Sequence, residues 1–149
     1  MMRLHIVAIG RMRRGIELDL FNYYKSRIKW PLELHEIDKR KHGIKIFPEH
    51  LIIAAIPDKA VVAVLDEKGS DLCSQNFAGI IKKWRDSGIG DIVFLIGGPD
   101  GLPEKVKQTA DLSIAFGRFT WPHLLIRGML TEQIYRAQQI LSKHPYHRA

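Results

Sequence analysis

Apolar residues along this chain follow two alternating rhythms. Short continuous or every-other-residue runs mark strands: "RLHIVAIG" (Arg3 to Gly10), "LELHEI" (Leu32 to Ile37), "AVVAVLD" (Ala60 to Asp66), "DIVFLIGG" (Asp91 to Gly98) and "LSIAFG" (Leu112 to Gly117). Between them, apolar residues return at every third or fourth position, the spacing of one helix face. Ile16, Leu20, Tyr23, Tyr24 and Ile28 predict a helix over Ile16 to Ile28 buried on that face, and Phe47 to Ala55 also reads as helical. Phe77, Ile80, Ile81 and Trp84 define a third helix, and Pro103 suits the first turn of a short one through Ala110. Pro122 then opens a last helix to Leu141, with a predicted buried stripe of Ile126, Met129, Leu130, Ile134, Ala137 and Leu141.

Strand followed by helix, five times over, predicts an α/β fold: a mainly parallel sheet flanked by helices. In such sheets ligands bind beyond the carboxyl ends of the strands. Three ends stand out, "VLDEKGS", "LIGGPDG" and "AFGRFTWPH", because each joins a buried strand to an abrupt polar or glycine-rich turn.

Composition narrows this picture. A chain of 149 residues fits a single domain, and 46% hydrophobic with 26% charged residues is an ordinary globular balance. No apolar run approaches the roughly 20 residues that span a bilayer. "MMRLHIVAIG" leads into "RMRRG" without a small-residue cleavage site, so a first strand in a cytoplasmic protein is expected, with no membrane partner. Cys73 is the only cysteine, which excludes an internal disulfide and a thiolate zinc cluster; it reads as a bystander in a polar loop. The net charge of +7 is clustered in "RMRR" (Arg11 to Arg14), "KRKHGIK" (Lys39 to Lys45) and the tail, which favours a polyanionic partner such as RNA.

Several chemistries lack their motifs. The G-x-G-x-x-G dinucleotide fingerprint and the G-x-x-x-x-G-K-[ST] phosphate loop are absent, as is H-E-x-x-H; His144 and His147 have no companion ligands, so no metal is expected. A G-x-S-x-G nucleophile elbow is also missing. Gly97, Gly98 and Gly101 around Pro99 fit two readings, a plain tight turn or a close approach to a ligand.

"LIGGPDG", "FTWPHLLIRGMLTEQIYRA" and the terminal "HPYHR" together resemble the bacterial RlmH family, and the resemblance runs the whole length of the chain. That family consists of SPOUT-class methyltransferases acting on large-subunit ribosomal RNA. The resemblance implies a C-terminal trefoil knot, a homodimer, and S-adenosylmethionine as methyl donor. It also implies a substrate, N3 of pseudouridine 1915 in helix 69 of 23S rRNA within the assembled 70S ribosome. By the same resemblance the cofactor site is formed by Leu65, Gly97, Phe116, Gly117, Arg118, Phe119, Thr120 and Trp121, with no metal. Asp100, the Gly117–Arg118 pair and Gly128 depart from the family's usual residues.

An imide N–H is a poor nucleophile, so its proton must leave before or during methyl transfer. The tail offers Tyr146 to stack on a base, His147 to accept a proton and Arg148 to offset anionic charge; these are the expected catalytic residues. His144 is expected to pin the chain end, and His123 is a further candidate base. Glu132 and Arg136, four apart on the last helix, read as a surface ion pair, and Arg127, on a different face from that pair, is open to substrate or dimer contacts. A ribosome-binding assembly factor without catalysis, a methyltransferase acting on tRNA and, more distantly, a dinucleotide oxidoreductase remain as alternatives.

Overall fold

The computed structural model describes residues 1–38 and 48–148. Five strands, β1 (Arg3–Ile9), β2 (Leu32–Ile37), β3 (Val61–Asp71), β4 (Asp91–Ile96) and β5 (Leu112–Ala115), form one sheet in the order β2-β1-β4-β3-β5. Every strand pairing in it is parallel. Among the described residues five helices connect and cover the strands: α1 (Ile16–Lys25), α2 (Pro48–Ala54), α3 (Ser74–Asp86), α4 (Glu104–Gln108) and α5 (His123–Leu141). The basic run Lys39 to Lys45 lies outside the described residues.

β1 and β4 lie inside the sheet and, apart from Arg3, His5 and Asp91 toward their amino ends, are apolar on both faces, as strands covered from both sides must be. Leu4, Ile6, Ala8, Ile92, Phe94 and Ile96 point into one core with Phe21 of α1, Ile81 of α3, and Leu130 and Ile134 of α5. Val7, Ile9, Val93 and Leu95 point the other way, into a smaller core with Ile52 of α2 and Val106 of α4. Among the described residues the layers are therefore unequal: three longer helices on one face, two short ones on the other.

The helical faces differ from the apolar pattern in two places. In α1 only Phe21 is fully buried, while Ile16 is 81% exposed and Tyr23 faces solvent. The helix ends at Lys25, three residues short of the predicted Ile28, because the Tyr23 carbonyl accepts hydrogen bonds from Ser26 Oγ (2.9 Å) and Arg27 NH1 (2.7 Å) instead of from a further turn. In α5 the buried set is Arg127, Gly128, Leu130, Thr131, Ile134, Ala137 and Gln138; Ile126, Met129 and Leu141 are only half-buried. The polar members have partners inside: Thr131 Oγ1 donates to the Arg127 carbonyl, and Gln138 accepts from Lys29 N (2.5 Å) and donates to the Arg27 carbonyl (3.2 Å).

Arg127 is the strongest of these fixings. It is completely buried, donates NH2 to the carbonyls of Ile9 (2.9 Å) and Gly10 (2.8 Å), and pairs through NH1 with Glu36 Oε2 at 2.8 Å. The same carboxylate oxygen accepts the Met12 amide at 2.6 Å. One cation thus ties α5 to the carboxyl ends of β1 and β2 and to the loop after β1. Gly128, next to it, lets α5 approach α1 closely, since a Cβ there would stand 2.5 Å from Leu20 Cδ2.

β3 runs five residues beyond its predicted end at Asp66, with an irregularity: both Leu65 and Ser70 pair with Ile114 of β5, so the intervening residues leave the ladder and return. Gly69 permits the return because a Cβ would stand 2.7 Å from the Ile114 amide nitrogen. Cys73 is more than a bystander: it is exposed, but its sulfur accepts the Asn76 amide (3.4 Å) and caps α3. Among the described residues no helix is long and apolar enough to cross a membrane.

Arg127→Ala should lower stability by about 3–5 kcal/mol, the cost of stranding one partner of a buried pair, with the lower end favoured because Glu36 keeps some contact with water; urea unfolding measures this. Gly128→Ala should destabilise the native chain through Leu20. In a Leu20→Ala background the same change should stabilise by about 1 kcal/mol, the helix preference for Ala over Gly, and a double-mutant cycle reads the difference.

Candidate active site

The carboxyl ends of β3, β4 and β5 open into one cleft of about 740 Å³, at the three strand ends expected from the sequence. Its walls come from Leu65 and the excursion Asp66 to Lys68, from the turn Gly97 to Leu102, and from the loop Phe116 to Pro122, with His123 and Ile126 of α5 closing one side. Of the expected cofactor residues, Leu65, Gly97, Phe116, Gly117, Phe119, Thr120 and Trp121 line this cleft together. Arg118 belongs to the same loop but is exposed and does not line it.

The chain's own packing accounts for much of this shape. A Cβ on Gly97 would stand 2.5 Å from the carbonyl carbon of Gly101, so the turn itself requires glycine there. The turn closes by a Gly101 N–H to Gly98 carbonyl bond of 2.9 Å, with Gly101 at φ +76. Trp121 Nε1 donates to the Phe116 carbonyl at 2.8 Å and braces the opposite loop, where Gly117 has φ +80. Phe119 packs edge-on to Trp121 and is 79% exposed at the mouth. Lys107 pairs with Asp66 at 3.4 Å across the wall, and Glu67 and Asp100 add further carboxylates.

His123, the first residue of α5, is the histidine in the cleft lining. Burial, with a further push from the Arg127 charge, holds its imidazole below the ordinary 6.5, so it is a neutral proton acceptor at neutral pH.

The tail lies elsewhere. Tyr146, His147 and Arg148 line no part of the cleft within the same chain. Tyr146 packs edge-on against Tyr135 (4.8 Å between centroids), sits near the Arg136 guanidinium (4.8 Å), and donates its hydroxyl to Glu132 Oε1 at 3.4 Å. Arg136 NH1 also contacts His147 Nδ1 at 3.1 Å, and Arg148 is exposed. Glu132 and Arg136, 2.7 Å apart, are therefore half-buried anchors for the tail and not a plain surface pair. Burial first, then hydrogen bonding with Tyr24 and the Glu132 charge, raise the Tyr146 phenol well above its usual range and keep it protonated. His144 is exposed, and its Nδ1 accepts the Tyr146 amide at 3.1 Å, a bond within the tail itself.

Residues 2–147 match the family model described as "Predicted SPOUT methyltransferase". The chain belongs to the SPOUT methyltransferase family. The ribosomal RNA large subunit methyltransferase H of Rhodospirillum centenum is 52% identical over 152 residues, covering 99% of this chain and 100% of that protein. The protein of the same name from Paramagnetospirillum magneticum is 46% identical over 151 residues, with 99% of each covered. Among solved structures, a probable methylase family protein from Haemophilus influenzae superposes with a TM-score of 0.64 at 11% identity, over 99% of this chain and 71% of that one. At that identity the likeness shows a common fold.

Sequence reasoning missed parts of this SPOUT cleft. Asp66 and the Gly69 return belong to the broken β3–β5 ladder, whose only sequence trace is a glycine after a charged run in "DEKGS", and Lys107 reaches Asp66 from α4. The histidine makes a measurable difference. Because its imidazole is depressed in the folded state, unfolding favours proton uptake, and stability falls as pH drops through 6.5 toward the folded value. His123→Gln should flatten the decline in melting temperature between about pH 7 and about pH 5, as followed by thermal denaturation across that range.

Proposed function

We propose that this chain transfers a methyl group from S-adenosylmethionine to N3 of pseudouridine 1915, in helix 69 of 23S rRNA, in the cytoplasmic 70S ribosome, acting as a homodimer. The observation that carries the reading is a cleft built at three parallel strand ends of a chain half identical, along its whole length, to a ribosomal RNA large subunit methyltransferase H. A trefoil knot of the C-terminal region belongs to the same proposal.

The cleft suits the donor. Its volume falls within the roughly 300–1,000 Å³ of small-ligand pockets, and it pairs apolar walls (Leu65, Ile114, Phe116) with turn backbone able to hydrogen-bond a purine edge. Its carboxylates complement a ligand carrying a sulfonium and an ammonium group. When bound, S-adenosylmethionine supplies a methyl already activated by the positive sulfur. The chain's work is then to align the target ring and to take its imide proton.

Neutral His123 in the lining is a base for that proton. Tyr146, held protonated, serves as a stacking and hydrogen-bonding group and not as a base. Since the tail lies on α5 of its own chain, Tyr146, His147 and Arg148 act at the cleft of the second protomer, where His147 and Arg148 meet the target nucleotide. Exposed Arg11, Arg13 and Arg14 line a separate groove of about 980 Å³ beside Leu124 and supply phosphate contacts for the RNA.

Ribosomes from a strain lacking the protein, incubated with the purified chain and labelled donor, should carry the methyl at that one pseudouridine; label confined to tRNA or to another rRNA position overturns the substrate. Truncation after Lys143 should abolish transfer while calorimetry shows donor affinity within about twofold of the full chain. A truncated protein that methylates at the normal rate removes the tail from the mechanism.

A further inference from the structure

Toward the amino ends of the strands, away from the cleft, three neighbouring strands bring a second set of chemical groups to one face of the sheet. His5 of β1 is level with Glu33 of β2, His35 lies two residues further along β2, and Asp91 opens β4. His5 is only 6% exposed. Its Nε2 stands 2.8 Å from Asp91 Oδ1, so the carboxylate takes the Nε2 hydrogen and leaves the Nδ1 lone pair directed away from it. Facing that lone pair are His35 Nε2 at 3.4 Å and Glu33 Oε2 at 3.9 Å, and these two are 3.4 Å from each other.

The geometry points to a binding site for a divalent transition-metal ion, zinc in particular, held by His5 Nδ1, His35 Nε2 and Glu33 Oε2, with water in the fourth position. Four features carry it. A triangle with those sides has a centre roughly 2.1 Å from each corner, the length of a zinc–nitrogen or zinc–carboxylate bond. Two imidazoles and one carboxylate suit zinc, copper or nickel far better than magnesium or calcium. The Asp91–His5 bond is the outer carboxylate that commonly fixes the tautomer of a ligating histidine. Finally, 3.4 Å between the ring nitrogens exceeds the 2.7–3.2 Å of ordinary hydrogen bonds, so a shared proton fills the gap poorly.

The two rings meet edge to edge, 5.7 Å between centroids with planes 20° apart. His35 and Glu33, whose side chains are partly exposed, can tilt to bring their donor atoms onto the ion, while His5 stays fixed by burial and by Asp91. The ligands come from β1 and β2, and the outer carboxylate from β4. An ion there clamps the edge strand β2 to the centre of the sheet, and binding to the folded chain alone raises its stability.

The test titrates the full-length, metal-stripped chain with zinc chloride, by calorimetry and by melting temperature. One zinc per chain and a higher melting temperature are expected. His35→Gln and Glu33→Gln, both on partly exposed side chains, should each weaken binding at least about tenfold and abolish the thermal shift, and Asp91→Asn should weaken it about 10–100-fold. A His144→Gln/His147→Gln variant should bind as the native chain does, which separates this site from adventitious binding by the tail. Absence of zinc binding at a tenfold excess overturns the assignment. So does binding that survives both His35→Gln and Glu33→Gln.

Discussion

A guanidinium sealed from water organises the functional half of this molecule. Arg127 carries its charge where no solvent reaches and its Nε has no hydrogen-bond partner among the described residues, so the pairing falls to its terminal NH1 and NH2 groups. They find Glu36 and the carbonyls of Ile9 and Gly10, the last groups of β1 and the loop leaving it. The orientation of α5 relative to the sheet is fixed by that pairing. With it is fixed His123, one turn earlier on the same helix and inside the reach of the same charge.

The cleft then forms with little help from its ligand. Gly97 is glycine because Gly101 folds back upon it, and Gly69 is glycine because β3 returns flush against β5. Trp121 locks its loop by a bond to the Phe116 carbonyl. A pocket shaped by such internal closures is preorganised, which reduces the ordering cost that binding would otherwise meet. Of the two readings of the glycine-rich turn, the packing supports the tight turn, and that turn forms a wall of the cleft.

Much of this was legible in the sequence because strong apolar runs leave few alternatives. The five strands and the helix opened by Pro122 lie where the pattern puts them, apart from the extension of β3 past Asp66, and the three strand ends do converge. Legibility failed where polar groups are buried for reasons that hydrophobicity does not encode. Arg127 and Gln138 sit inside α5 because their partners include backbone groups more than a hundred residues away in sequence, and Thr131 because the Arg127 carbonyl one turn earlier accepts its hydroxyl. The exposed Ile16 and Tyr23 failed for the opposite reason, since α1 turns Leu20 and Phe21 toward the interior at their expense. The His5, Glu33, His35 and Asp91 cluster leaves no spacing motif, because its members meet only through strand register. Family membership itself rested on resemblance, which summarises such long-range constraints without deriving them.

The indole at the cleft mouth has one more consequence. Trp30 and Trp84 pack against the main core, whereas Trp121 is partly open to water and hydrogen-bonded to the backbone it braces. Its emission colour and quenching therefore depend on the state of one loop more than on the rest of the protein. The molecule carries an intrinsic fluorophore at its own entrance, so occupancy there can be followed optically without attaching any label.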